Sequence, residues 1–194
     1  MCCLFLFLPC RFFSNLNESQ KNGLSDRSKA KAIAAQTSKV IRERYRRDEI
    51  FYKKFSDRIE KILQEIEDAK REDVAALFIE MKKIQSTVEN YEDSDLPEAI
   101  RNEKVYHPFW RNLAEKFANK IDDNLFVEVL KQIIAIIRQN KKVDFEHDIT
   151  VKRRVIIAIE DFLFDDLALG FRPAEVQAIA EKCWELAILN REMI

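Results

Sequence analysis

The sequence predicts an all-α fold, a helical bundle of about six substantial helices with short connections. Three observations carry that expectation. The 194 residues include only two glycines and four prolines, too few for the many turns of a sheet protein. Apolar residues recur at three- and four-residue spacing along most of the chain after residue 25, the period of amphipathic helices. No stretch alternates short strands with helices as a parallel sheet requires. Apolar residues make up 47% and charged residues 35%, a composition able to bury a core rather than a disordered one.

The elements follow in order. Residues 1–22 stand apart, an apolar start (MCCLFLFLPCRFF) followed by a polar stretch. The start is too short to span a bilayer and lacks the basic flank and small-residue cleavage site of a signal peptide. It is expected to be disordered or an artefact of a truncated or mis-started reading frame. Residues 23–90 form an N-terminal helical part. Ser25 reads as an N-cap with Asp26 in the first turn, and the helix runs to about Arg47 on Ala30, Ile33, Ala34, Thr37, Val40 and Ile41. A second helix, from near Glu49 to about Ala69, carries Phe51, Tyr52, Phe55, Ile59, Ile62 and Ile66 on one face. After a charged break at Lys70–Asp73, a third shows Val74, Met81, Ile84 and Val88. The pair is read as an antiparallel hairpin, with one long helix as the competing reading.

Residues 91–105 are an acidic linker holding a short helix near Pro97. Residues 106–190 form the C-terminal helical part. One helix is expected over Pro108–Lys120 and another over about Asn124–Asn140. The second is apolar around more than half its girth, Leu125 included, and so belongs in the core. Residues 141–147 form a loop or extended connection. A helix follows from about Asp148 to Leu167, with Gly170 as C-cap and Pro173 opening the last helix, which ends near Asn190.

The formal net charge is −1, but its distribution is uneven. Residues 27–47 hold Arg27, Lys29, Lys31, Lys39, Arg42, Arg44, Arg46 and Arg47 against one acid, Glu43. Lys152-Arg153-Arg154 lies in the first turns of a helix, where cations oppose the macrodipole. Such clusters are either solvated surface or contacts for an acidic protein face or nucleic acid. Arg42, Arg44, Arg46, Arg47, Lys152, Arg153 and Arg154 are therefore the candidate partner or DNA contacts, with Phe51, Tyr52 or Trp110 as candidate apolar anchors.

No catalytic, cofactor or metal residues are assigned. A chain with only Gly23 and Gly170 cannot build a glycine-rich nucleotide loop. His107 and His147 are placed in connecting segments and form no E-x-x-H pair. Cys183 lies on an apolar stripe beside Trp184, the setting of an inert core thiol, and the body of the chain has no second cysteine to bridge. For a nuclease of the D…E-x-K type, Glu67-Asp68-Ala69-Lys70 has the wrong spacing, and no sheet edge is expected to present the carboxylates.

Three stretches resemble the C-terminal region of the restriction (R) subunit of type I restriction–modification enzymes. Gly23–Arg44 (GLSDRSKAKAIAAQTSKVIRER) leads into Asp48–Leu63 (DEIFYKKFSDRIEKIL). Val143–Ile156 (VDFEHDITVKRRVI) is the second, with Phe145 where that family usually has Trp. The third is Gly170-Phe171 with Pro173 two residues on, ahead of the last helix. Together they span most of residues 23–190. The middle matches only in helical pattern, and the acids of residues 162–166 depart from the more basic family pattern. The resemblance implies a helical domain that docks the motor onto the modification (M) subunit. The nuclease and ATP-driven motor would lie in other domains of the parent, an ATP-dependent site-specific deoxyribonuclease. The expected chain is cytoplasmic, without enzymatic activity of its own, without cofactors and without a membrane, and it meets DNA only through the complex. A nucleic-acid-binding helical module, and a truncated product with no independent role, are the alternatives.

Overall fold

The computed structural model describes residues 25–68, 74–92, 95–141 and 145–194. Among them are eight α-helices and no strand: α1 (Asp26–Arg44), α2 (Glu49–Asp68), α3 (Val74–Asn90), α4 (Glu98–Arg101), α5 (Tyr106–Phe117), α6 (Asp123–Asn140), α7 (Ile149–Asp161) and α8 (Pro173–Leu189). Three-residue 3-10 turns follow α1 (Tyr45–Arg47) and precede α7 (Phe145–His147). The described residues divide into two compact units, one of residues 25–45 with those of Tyr52–Glu92, the other of Arg46–Phe51 with those of 95–194. No helix among the described residues is long and apolar enough to cross a membrane.

In the first unit Ser25 caps α1 as its sequence requires, accepting from the Ser28 N–H at 3.3 Å. The buried stripe of α1 is Ala30, Ala34, Thr37 and Ile41. Mostly small side chains at four- and three-residue spacing let α1 approach α3 closely, and these two helices form the main contact of the unit. The Thr37 hydroxyl satisfies itself on the Ile33 carbonyl one turn back, at 2.9 Å.

The expected hairpin is present. Arg58 on α2 donates to Glu80 on α3 at 2.7 Å, and the rings of Tyr52 and Tyr91 stack at 6.0 Å. In one continuous helix Arg58 and Glu80 would stand about 33 Å apart. The break itself lies outside the described residues. Lys31 near the start of α1 meets Glu67 at the end of α2, and Arg44 at the end of α1 donates to the Glu89 carbonyl at the end of α3. The three helices therefore run up, down and up.

In the second unit α6 is central. It buries Phe126, Val127, Val129, Leu130, Ile133, Ile134 and Ile137 and packs on α5, α7 and α8. Leu125 differs from its expected role: it is 44% exposed, in the first turn, where Asp122 accepts from the Leu125 N–H at 2.8 Å. Helix α5 begins two residues before the expected Pro108, since proline is tolerated in a first turn that needs no N–H partner. His107 is thus helical and buried, not in a connection. Its Nε2 lies 3.2 Å from the Ile100 carbonyl and 3.0 Å from that of Arg101. Burial, and next the nearby Arg111 charge, hold the imidazole below its usual range.

The connection before α7, expected as a loop or extended chain, is a turn over its described residues 145–147. Phe145 is drawn into a 3-10 turn and buried, its ring edge-on to Trp184 at 5.6 Å. The expected single helix to Leu167 stops at Asp161 and continues as a π-turn, Phe162–Asp166. Ala168 (φ 46°) and Gly170 (φ 67°) then turn the chain through left-handed backbone. Phe171 packs edge-on against Phe117 at 5.1 Å. Lys120 lies over the Phe171 ring and donates to the Leu169 carbonyl. Glu175 closes the start of α8 by accepting from the Arg172 backbone N–H and guanidinium. That guanidinium pulls the Glu175 carboxyl down to about 2.

Candidate functional site

The seven candidate cations are shared between the two units. Arg42 and Arg44 belong to the first unit, Arg46 and Arg47 to the second. Three of the four bond within the chain, Arg42 to the Ser38 carbonyl one turn back at 3.4 Å. Arg44 is half-buried and bonds the end of α3; Arg47 pairs with Glu192 at 3.1 Å. Arg42 and Arg46 are exposed and make no ion pair among the described residues.

Lys152, Arg153 and Arg154 are all exposed, and none has an ion-pair partner among the described residues. Their position is tolerated because Asp148 caps α7, accepting from the N–H groups of Thr150 at 2.8 Å and Val151 at 3.1 Å. This carboxylate at the positive end of the helix offsets the cations one turn later. Inward, Val151, Val155 and Ile159 are buried, which fixes α7 against its neighbours and presents the opposite face to solvent. There a shallow groove of about 390 Å³ is lined by Thr150, Arg153, Arg154, Ile157, Ala158 and Asp161.

The expected apolar anchors are not available. Phe51 and Tyr52 are 1% and 2% exposed, and Trp110 is half-buried, its ring 4.8 Å from that of Phe126. Phe51 belongs to a polar lock that the sequence reading missed. Asp48, fully buried, accepts from the Phe51 N–H at 3.2 Å and pairs with Arg111, whose guanidinium lies over the Phe51 ring at 4.7 Å. Asp48 and Arg111 are 63 residues apart, so no periodicity could have joined them. An acid directly ahead of an amphipathic helix was the available signal, and it identifies a cap rather than its partner.

Glu80, Lys82 and Cys183 are held in contacts within the fold. Glu80-Met81-Lys82 does have E-x-K spacing, but it sits in the middle of α3. Met81 is buried, Glu80 is held by Arg58, and Lys82 lies over the Phe78 ring. Among the described residues no three His, Cys, Asp or Glu side chains gather as a metal site needs. His147 is exposed. Cys183 is fully buried, and desolvation pushes its thiol up to about 12.

The folded chain holds the Cys183 proton up to about 12, whereas the unfolded thiol ionises near its ordinary value of about 8.5. The unfolded state therefore binds fewer protons between those values, and stability falls as pH rises through them. Cys183 is expected to react with a thiol reagent at neutral pH only at the rate of unfolding. Labelling followed by mass mapping in native buffer and in urea checks this. Rapid native labelling at Cys183 would contradict it.

The chain matches no protein-family model, no curated protein and no solved structure.

Proposed function

We propose that the chain is a non-catalytic, cytoplasmic docking domain of the kind found at the C-terminal end of type I restriction enzyme R subunits, and that it binds the modification subunit. The observation that carries this reading is the set of exposed cations that make no ion pair among the described residues, Arg42, Arg46, Lys152, Arg153 and Arg154. Cations that a fold holds outward and leaves unneutralised suit acids on another protein, where they set specificity and association rate more than affinity. The three stretches that carry the resemblance also fall at joints of the fold. Ser25 caps α1 and Asp48 precedes α2. Phe145 and Asp148 set the start of α7, and Gly170 and Phe171 form the turn into α8.

Co-purification with a cognate type I modification subunit at low salt tests the reading. Retention of the wild-type chain is expected, together with at least about tenfold weaker binding by the combined Lys152→Glu, Arg153→Glu, Arg154→Glu variant. No retention at low salt would refute it. All three positions are exposed, so circular dichroism of the variant should match the parent.

A further inference from the structure

The outward face of α7 carries more than cations. Ile149 is 72% exposed, Ile157 48% and Phe164 53%. They are large apolar side chains left in water along one side of α7 and the π-turn that continues it. Their spacings of eight and seven residues are close to two helical turns, which keeps them on one stripe. Arg153 and Arg154 lie between Ile149 and Ile157. Asp161 lies between Ile157 and Phe164, with Asp165 just beyond. All four charged groups are exposed, and none has an ion-pair partner among the described residues.

The stripe therefore reads apolar, basic, apolar, acidic, apolar. Turned end for end it reads apolar, acidic, apolar, basic, apolar, which is its own complement. We propose that this face pairs with a second copy of the chain, α7 lying antiparallel on α7 about a two-fold axis at Ile157. Residues at equal distances either side of the axis then meet. Arg153 and Arg154 face the partner's Asp161, and their own Asp161 receives the partner's Arg153 in return. Ile149 falls beside the partner's Phe164. At the centre, Ile157 meets the partner's Ile157 above the small Ala158, where the groove gives room for it. A patch that meets itself in this reciprocal way is what a two-fold interface requires.

Charge order decides the occupant. A uniformly acidic segment satisfies Arg153 and Arg154 but is repelled by Asp161 and Asp165, and a nucleic-acid backbone is repelled in the same way. The contact spans about 22 Å of helix and buries less than the roughly 1,200 Å² of a stable complex, so the dimer is weak and exchanging. It needs only this chain and does not rest on the docking reading. Because Arg153 and Arg154 serve in both, the modification subunit displaces the second copy there.

Sedimentation equilibrium of the full chain, from about 10 to about 500 µM as so small an interface demands, tests the pairing. The wild type is expected to pass from monomer to dimer across that range. One variant, Arg153→Glu with Arg154→Glu, makes the face acidic throughout; another, Asp161→Arg with Asp165→Arg, makes it basic throughout. Each alone is expected to lose at least about tenfold in dimer affinity through like-charge apposition, and an equimolar mixture of the two is expected to dimerise again. A wild type that stays monomeric, a dimer indifferent to both variants, or a mixture that fails to associate overturns the proposal. Rescue on mixing also separates this pairing from association through any other part of the chain.

Discussion

Replacing Arg111 with methionine is expected to destabilise the second unit by about 3–5 kcal/mol, the penalty for stranding a buried charge. Asp48 is fully buried and the Arg111 side chain is 8% exposed, so water cannot replace the lost guanidinium. The same change removes the cation above the Phe51 ring. Asp48→Asn should cost less. The amide oxygen can still accept from the Phe51 N–H, and the guanidinium it leaves behind keeps some contact with solvent. The double variant should be less unstable than the sum of the two single losses, since the second change removes a charge that the first had stranded. Urea unfolding followed by circular dichroism measures all three. A loss under about 1 kcal/mol for Arg111→Met, the range of an exposed pair, would mean that the lock does not hold the start of α2.

Phe117→Ala is expected to cost a similar 3–5 kcal/mol, by removing a buried aromatic that the surroundings cannot collapse to replace. Phe117 is 1% exposed. Its ring stacks on Phe126 of α6 at 4.8 Å and meets Phe171 edge-on at 5.1 Å. One side chain therefore joins α5, α6 and the turn that follows the π-helical segment. The turn should loosen before the rest of the unit, because Ala168 and Gly170 hold left-handed backbone there that Phe171 anchors. Hydrogen exchange of the 167–172 amides in the variant reads that order. Uniform exchange across α5, α6 and the turn would show that Phe171 does not depend on Phe117.

Helix positions were legible because each is written locally. Ser25 and Asp26 begin α1, and apolar spacing names the buried faces of α2 and α6. What escaped was written across distance or by competition between neighbours. Asp48 reads as a cap, and only the fold brings Arg111 to it. Phe51 and Tyr52 read equally well as core or as partner anchors until packing buries them. His107 sits before a proline that usually marks a boundary, yet α5 absorbs both in its first turn. The residues after Asp161 keep a helical pattern in sequence, but the backbone leaves the α-helix for a π-turn that keeps Leu163 inside and sends Phe164 out. Of the candidate site, the Lys152–Arg154 cluster is exposed and makes no ion pair among the described residues. The 42–47 run is shared between the two units, with Arg42, Arg44 and Arg47 bonded within the chain.

A paired salt titration of the full chain against a cognate modification subunit and against duplex DNA tests the docking claim most directly. Binding to the modification subunit is expected at low salt and weakens as salt screens the cations, while DNA binding stays weak throughout, since Asp161 and Asp165 follow the arginines along the same exposed face. The contrary result is tight DNA binding that falls steeply with salt, the mark of phosphate contacts, with no binding to the modification subunit at any salt concentration.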